Sequence, residues 1–210
     1  MNTTMFGPVK IYFFGHSSVC LEYNNLTFYV DPYVVPKNAK RADVILHTHS
    51  HFDHCVVPSS IETSSTTIIS HKGKFPGREV EIGEKITVRG VQIEVVHAYN
   101  VNKSFHPKEF GAGYIFSFPT SQAPVRIYVA GDTDLIPEMK NYKCDVAIIP
   151  IGGTYTMNAD EAAQALVQLK PRVAIPYHYN YLSDTQVDPQ GFVRLARTLA
   201  PATEVRILTP

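Results

Sequence analysis

Residues 47–54 read His-Thr-His-Ser-His-Phe-Asp-His, directly after the apolar run from Ala42 to Leu46, and this segment restricts the fold more than any other in the 210-residue chain. Within it lies the pattern H-x-H-x-D-H, filled by His49, His51, Asp53 and His54. Alternate side chains of an extended segment share a face. His49 and His51 can therefore converge on one metal ion. Asp53 and His54 follow where the chain turns and can face a second. Imidazole and carboxylate donors together suit zinc, with manganese and iron as competitors. Because the donors follow an apolar strand, the pattern predicts a metal centre at a strand's end, held by a rigid sheet. His47 precedes the pattern and is expected to point away from it or into the core. Asp43, at the start of the strand, falls outside the set.

The rest of the chain is consistent with a strand-rich α/β (α+β) protein. Its 12 Tyr and 11 Phe favour strands over helical bundles. Strand patterns cover Val9 to Phe14, Val19 to Tyr23 and Leu26 to Val30, with Asn24-Asn25 as a tight hairpin turn. They continue at Thr66 to Ser70, Lys85 to Val88 and Val91 to Val96, with Arg89-Gly90 as a turn. The second half alternates. Strands are predicted at Tyr114 to Phe118, Val125 to Val129, Asp145 to Ile149, Val173 to Ile175 and Glu204 to Leu208. Between them, helices are predicted at Ile136 to Asn141, from a cap at Asn158 or Asp160 to Leu169, and at Gly191 to Leu199. The stretch 119–124 reads as a loop, no internal repeat is visible, and residues 1–210 are expected to form one domain.

Lys plus Arg (19) balances Asp plus Glu (19), so no global field draws the protein to nucleic acid, and no basic arm is present. A small-molecule substrate is the expected partner; composition sets no oligomeric state. The 3 cysteines show no C-x-x-C spacing, which argues against a disulfide framework and for a reducing compartment. The start of the chain lacks an apolar signal region, and no run of roughly 18 apolar residues occurs. A cytoplasmic protein without membrane association is expected.

Further candidates lie downstream of predicted strands. Asp132, in Ala130-Gly131-Asp132-Thr133, is a carboxylate at a strand end and can bridge two metals. His178 follows the strand at Val173 to Ile175. A third ligand for the first ion must come from mid-chain, where His106, Asn100 and His97 compete. His16, in the turn Gly15-His16-Ser17, can reach the rim of the site. Asp31 can hydrogen-bond a ligand histidine and fix its tautomer. Cys55 is either a buried small hydrophobe or an oxidation-sensitive neighbour of the metals.

The H-x-H-x-D-H string, a later Gly-Asp and a late His, in that order, resemble the metallo-β-lactamase superfamily. The resemblance is closer to its small metal-dependent hydrolase branch, which includes ascorbate-6-phosphate lactonase-like proteins. Narrower markers are Gly15-His16-Ser17, Val30-Asp31-Pro32, Pro150-Ile151-Gly152-Gly153-Thr154-Tyr155-Thr156-Met157 and Pro176-Tyr177-His178-Tyr179. The resemblance spans about residues 10 to 180 and implies a four-layer αββα sandwich. It implies two divalent ions, with His49 and His51 on the first, Asp53, His54 and His178 on the second, and Asp132 between them. This chain departs from the branch at Ala98-Tyr99-Asn100, where a His usually stands in place of Asn100. His106, in Phe105-His106-Pro107, is preferred as its replacement: to Asn100 because imidazole is the better zinc ligand, and to His97 because that residue comes two residues before the strand turns, beside the apolar Val95 and Val96. His51 stands where the redox diiron branch carries Glu, so the implied chemistry is hydrolysis. A metal-activated water would attack a small, anionic ester, lactone or phosphodiester, with Asp53 or Asp132 accepting a proton. The alternatives are a phosphodiesterase or nuclease-like enzyme, and a metal-binding protein of the same fold without turnover.

Overall fold

The computed structural model describes residues 2–72 and 77–210. Strands β1 (Thr3–Phe6), β2 (Val9–Gly15), β3 (Ser18–Tyr23), β4 (Leu26–Val30), β5 (Val44–His47), β6 (Thr67–His71) and β7 (Arg78–Val80) form one sheet in that order. The second sheet, again in chain order, holds β8 (Lys85–Val88), β9 (Val91–Ala98), β10 (Gly111–Phe118), β11 (Val125–Val129), β12 (Val146–Pro150), β13 (Val173–Tyr177) and β14 (Glu204–Val205). In the first sheet β1 to β4 pair antiparallel and β4 to β7 parallel. In the second, β8 to β11 pair antiparallel and β11 to β14 parallel. The two halves thus repeat one topology. The sequence shows no repeat because only strand order and direction recur.

Residue patterning explains the layers. β2 alternates buried and half-buried residues, and its inward Val9, Ile11 and Phe13 join a core shared with Ile93, Val95 and Phe116 of the second sheet. β12 and β13 are buried along their whole length, as strands covered on both faces must be. Helix α1 (Ala159–Leu169) starts at a capping box of Asn158 and Glu161 and buries the predicted stripe of Ala162, Ala163, Leu166 and Leu169. Helix α2 (Pro189–Leu199) starts two residues earlier than its pattern suggested, with Asp188 as cap and Pro189 in its first turn. α1 packs against both α2 and β12.

The outer face of the first sheet has a different cover. Cys20, Tyr29 and Ile45 lie beneath Val35, Ala39, Val57 and Ile61, which are loop residues. Pro32, Pro36, Pro58 and the Ser/Thr cluster after Thr63 disfavour helix there. The sandwich therefore has helices on one side and loops on the other. The helix predicted at 136–141 is a short 3-10 turn, Pro137–Asn141, and β14 is shorter than its pattern. No helix among the described residues is long and apolar enough to cross a membrane.

Candidate metal centre

The predicted site residues arise from both sheets. His16 sits in the β2–β3 turn, Asp31 just after β4, His49 to His54 after β5, and Asn100 and His106 in the β9–β10 connection. Asp132 follows β11 and His178 follows β13. Except for His16 and the β9–β10 pair, these are the carboxyl ends of strands in the parallel parts of the sheets, where open α/β folds place ligands. His16 (φ 50), Asp31 (φ 46) and His178 (φ 55) all adopt left-handed backbone. Such conformations are disfavoured for residues with a Cβ and concentrate at functional sites.

Three imidazoles meet first. His49 Nε2 lies 3.0 Å and His106 Nε2 3.2 Å from His51 Nδ1. Nitrogens about a tetrahedral metal, with bonds of ~2.0–2.1 Å, stand roughly 3.3 Å apart. Two of these rings are oriented from behind. Thr48 Oγ1 donates to Asp31 Oδ2 (2.6 Å) and so accepts from His49 Nδ1 at 3.0 Å. Asn100 Oδ1 accepts from both the backbone N (2.9 Å) and Nδ1 (3.1 Å) of His106. Each ring thereby directs its Nε2 lone pair inward. Asn100 in turn donates to Asp134 Oδ1 (3.1 Å) and to the Tyr155 carbonyl (2.9 Å). Of the mid-chain competitors, His106 joins the group, Asn100 lies behind it, and His97 turns to Glu109 at 3.5 Å.

A second group contains His16, Asp53, His54 and His178, with one ligand atom of each within 4.8 Å of the others. His16 Nε2 donates to Asp53 Oδ2 at 2.7 Å, which brings His16 closer in than a rim position. His54 Nδ1 donates to Asp31 Oδ2 at 2.7 Å, leaving Nε2 to face the cluster. Asp132 joins the groups: its Oδ2 lies 3.3 Å from His106 Nε2, 3.3 Å from His178 Nε2 and 3.6 Å from His54 Nε2.

The donor set fits divalent cations. His54 Nε2, His178 Nε2 and Asp132 Oδ1 are buried with no hydrogen-bond partner among the described residues. Each such orphan costs about 1–3 kcal/mol, a penalty that coordination removes. Burial, reinforced by neighbouring imidazoles, holds His49, His51, His106 and His178 below the usual imidazole range. They are neutral at pH 7, the form that ligates. Burial opposes a charge on Asp53, yet the His16 hydrogen bond and the charge of His54 hold its carboxyl well below the usual range.

Gly131 delivers Asp132. Its φ is 68°, and a Cβ there would lie 2.6 Å from the Ala112 carbonyl oxygen. Gly131→Ala combines left-handed strain with a backbone clash and is expected to destabilise the fold by about 3 kcal/mol. Thermal unfolding of the variant checks this; an unchanged Tm would show that the turn relaxes freely.

His47 Nδ1 donates to the His54 carbonyl at 2.9 Å, and Asp43 accepts from the Thr27 backbone N at 2.9 Å. Cys55 is half-buried, with Sγ 3.8 Å from the Ser50 carbonyl. Sequence reasoning passed over Thr48 and Asp134. The signals were present as a hydroxyl between two histidines and a second acid two residues after Asp132. A cleft of about 240 Å³ opens beside His51, Asp53, His106, Asp132 and His178, walled by Phe52, Phe105, Tyr155 and Leu182.

Two mixed sheets with a His/Asp cluster at their shared end define a metallo-β-lactamase fold, and residues 10–178 match the model of the beta-lactamase superfamily domain. The chain is 32% identical to a UPF0173 metal-dependent hydrolase of Methanopyrus kandleri, over 96% of this chain and 97% of that one. A second, of Pyrococcus horikoshii, is 33% identical over 96% and 97% of the two chains. Among solved structures, Igni18, a metallo hydrolase of Ignicoccus hospitalis, superposes with a TM-score of 0.78 at 26% identity, covering 96% of this chain and 95% of that one. The chain belongs to the UPF0173 metal-dependent hydrolases of the metallo-β-lactamase superfamily.

Proposed function

We propose that this metal-dependent hydrolase is binuclear, with His49, His51 and His106 holding one divalent ion, Asp53, His54 and His178 a second, and Asp132 bridging them. The observation that carries this is the position of Asp132 Oδ2, 3.3 Å from a histidine of each group. The predominance of imidazole favours zinc, with manganese or iron as alternatives. Such ions acidify water and polarise a carbonyl or phosphoryl oxygen. The chain's own residues do the rest. Asp53, which lines the cleft, accepts a proton from the attacking water and returns it to the leaving oxygen. His16 holds the Asp53 carboxylate in place through its 2.7 Å hydrogen bond. In the reaction, the water oxygen bonds to the acyl carbon or phosphorus of an ester, lactone or phosphodiester. The bond to the leaving oxygen breaks, and that oxygen takes the proton.

The test is metal content by elemental analysis, on protein purified without added metal, beside His51→Ala. About two equivalents in the wild type and about one in the variant are expected, with ester hydrolysis abolished by a chelator and restored by zinc. One equivalent or none in the wild type, even after reconstitution, sinks the binuclear assignment.

A further inference from the structure

Two large aromatic side chains exposed to water stand at the mouth of the cleft. Phe52 is 73% exposed and Phe105 44% exposed, and both line it with Leu182. Phe52 stands between His51 and Asp53 in the chain, so the metal-binding segment itself fixes its place. Its ring packs edge-on to Tyr33 at 6.2 Å, and Tyr33 packs on Tyr181, itself 49% exposed, at 6.1 Å. Phe105 packs edge-on to Tyr155 at 4.8 Å. Exposed aromatics gathered at one opening mark a surface made to be covered.

The charge of this wall points the same way. Among the described residues lining the cleft there is no Lys or Arg. Lys103, on the loop carrying Asn100 and His106, is engaged by Asp134 Oδ1 at 2.5 Å and by the Thr156 carbonyl at 3.0 Å. Tyr155 donates its hydroxyl to Asp184, so the rim carries a carboxylate. An anionic tail lying on this wall would lose hydration with no side-chain counter-charge.

We propose that the substrate is an uncharged carboxylic ester or lactone whose non-reacting part is apolar or aromatic, seated on Phe52 and Phe105. This rests on the hydrolase reading above and replaces the expectation of an anionic substrate. The metal centre takes the reacting carbonyl, and the wall takes the remainder. Removing one ring from an apolar subsite weakens the fitting substrate by about tenfold.

The test compares two aryl esters that share a reacting group, 4-nitrophenyl butyrate and mono-4-nitrophenyl succinate, on zinc-loaded protein. The butyrate ester is expected to have at least about a tenfold higher kcat/KM. Phe105→Ala and Phe52→Ala should each raise its KM about tenfold and shrink the preference, and Phe52→Lys should shift it toward the succinate ester. Both phenylalanines are exposed, so circular dichroism should show the variants folded. A second readout needs neither metal nor turnover: saturation-transfer NMR of N-(4-nitrophenyl)butanamide with metal-free protein, expected in the wild type and weakened in both alanine variants. Equal or preferred cleavage of the succinate ester overturns the inference. So does amide binding that is absent, or undiminished in both variants. If neither ester is cleaved but the amide binds through the two rings, the hydrolase reading fails and the apolar subsite stands.

Discussion

Asp132→Asn is expected to lower kcat for ester hydrolysis by on the order of 10³-fold. The exchange keeps the side chain's volume and removes its charge, so packing around it should hold. What is lost is a carboxylate that reaches both histidine groups, at 3.3 Å from His106 and from His178. The charge stabilisation that a correctly held metal supplies is several kcal/mol. At ~1.4 kcal/mol per tenfold in rate, a loss of about 4 kcal/mol corresponds to the stated factor. The variant should also bind less metal, because an amide oxygen carries no net charge to offset the two cations proposed for this centre. Steady-state kinetics with elemental analysis on the same preparation decides the matter. Two equivalents of metal and a kcat within tenfold of the wild type would remove Asp132 from the joint between the groups.

The site was more legible in the sequence than its surroundings. His49, His51, Asp53 and His54 lie within six consecutive residues, so local spacing alone brings them together. Asp132 and His178 were legible because each follows an apolar strand, where a sheet's carboxyl edge presents side chains. His106 was less so: its place depends on the path of the β9–β10 loop, which Asn100 pins by bonds to His106, Asp134 and Tyr155. No periodicity encodes those bonds. For the same reason the cleft wall went unread, since Phe52, Phe105 and Leu182 come from three loops. In the fold, β1 and β7 were missed. β1 is four residues with no alternation of exposure, and β7 is three residues with two exposed. Neither has a length or pattern separable from loop. The loop cover on the first sheet was missed because the resemblance implied helices, although Pro32, Pro36 and Pro58 argued against them.

Metal affinity should rise steeply with pH, and His54 sets the slope. Ligation requires a neutral imidazole and an ionised carboxylate. Burial opposes a charge on His54, but Asp132, Asp31 and Asp53 outweigh it and lift its pKa to about 9 in the metal-free protein. Burial likewise pushes Asp132 up to about 7. A proton that must leave on binding makes affinity rise tenfold per pH unit below its pKa. Between pH 7 and 9 His54 therefore contributes about tenfold per unit. Below pH 7 Asp132 adds a second proton and the slope steepens toward about 100-fold per unit. Above pH 9 it flattens. Calorimetric titration with Mn²⁺, whose bound water is less acidic than that on zinc, isolates the protein's own protons. Buffers of differing ionisation enthalpy should report about one proton released at pH 8 and more than one at pH 6.5. Asp31→Asn separates this from a generic effect of burial. It removes the carboxylate 2.7 Å from His54 Nδ1, so the proton is held less tightly and the flattening moves to lower pH. Affinity at high pH should still fall by about 10- to 100-fold, because the ring is no longer held in the ligating tautomer. An affinity that is flat from pH 6 to 9 in the wild type would mean that His54 gives up no proton on binding, and would overturn its raised pKa in the metal-free protein.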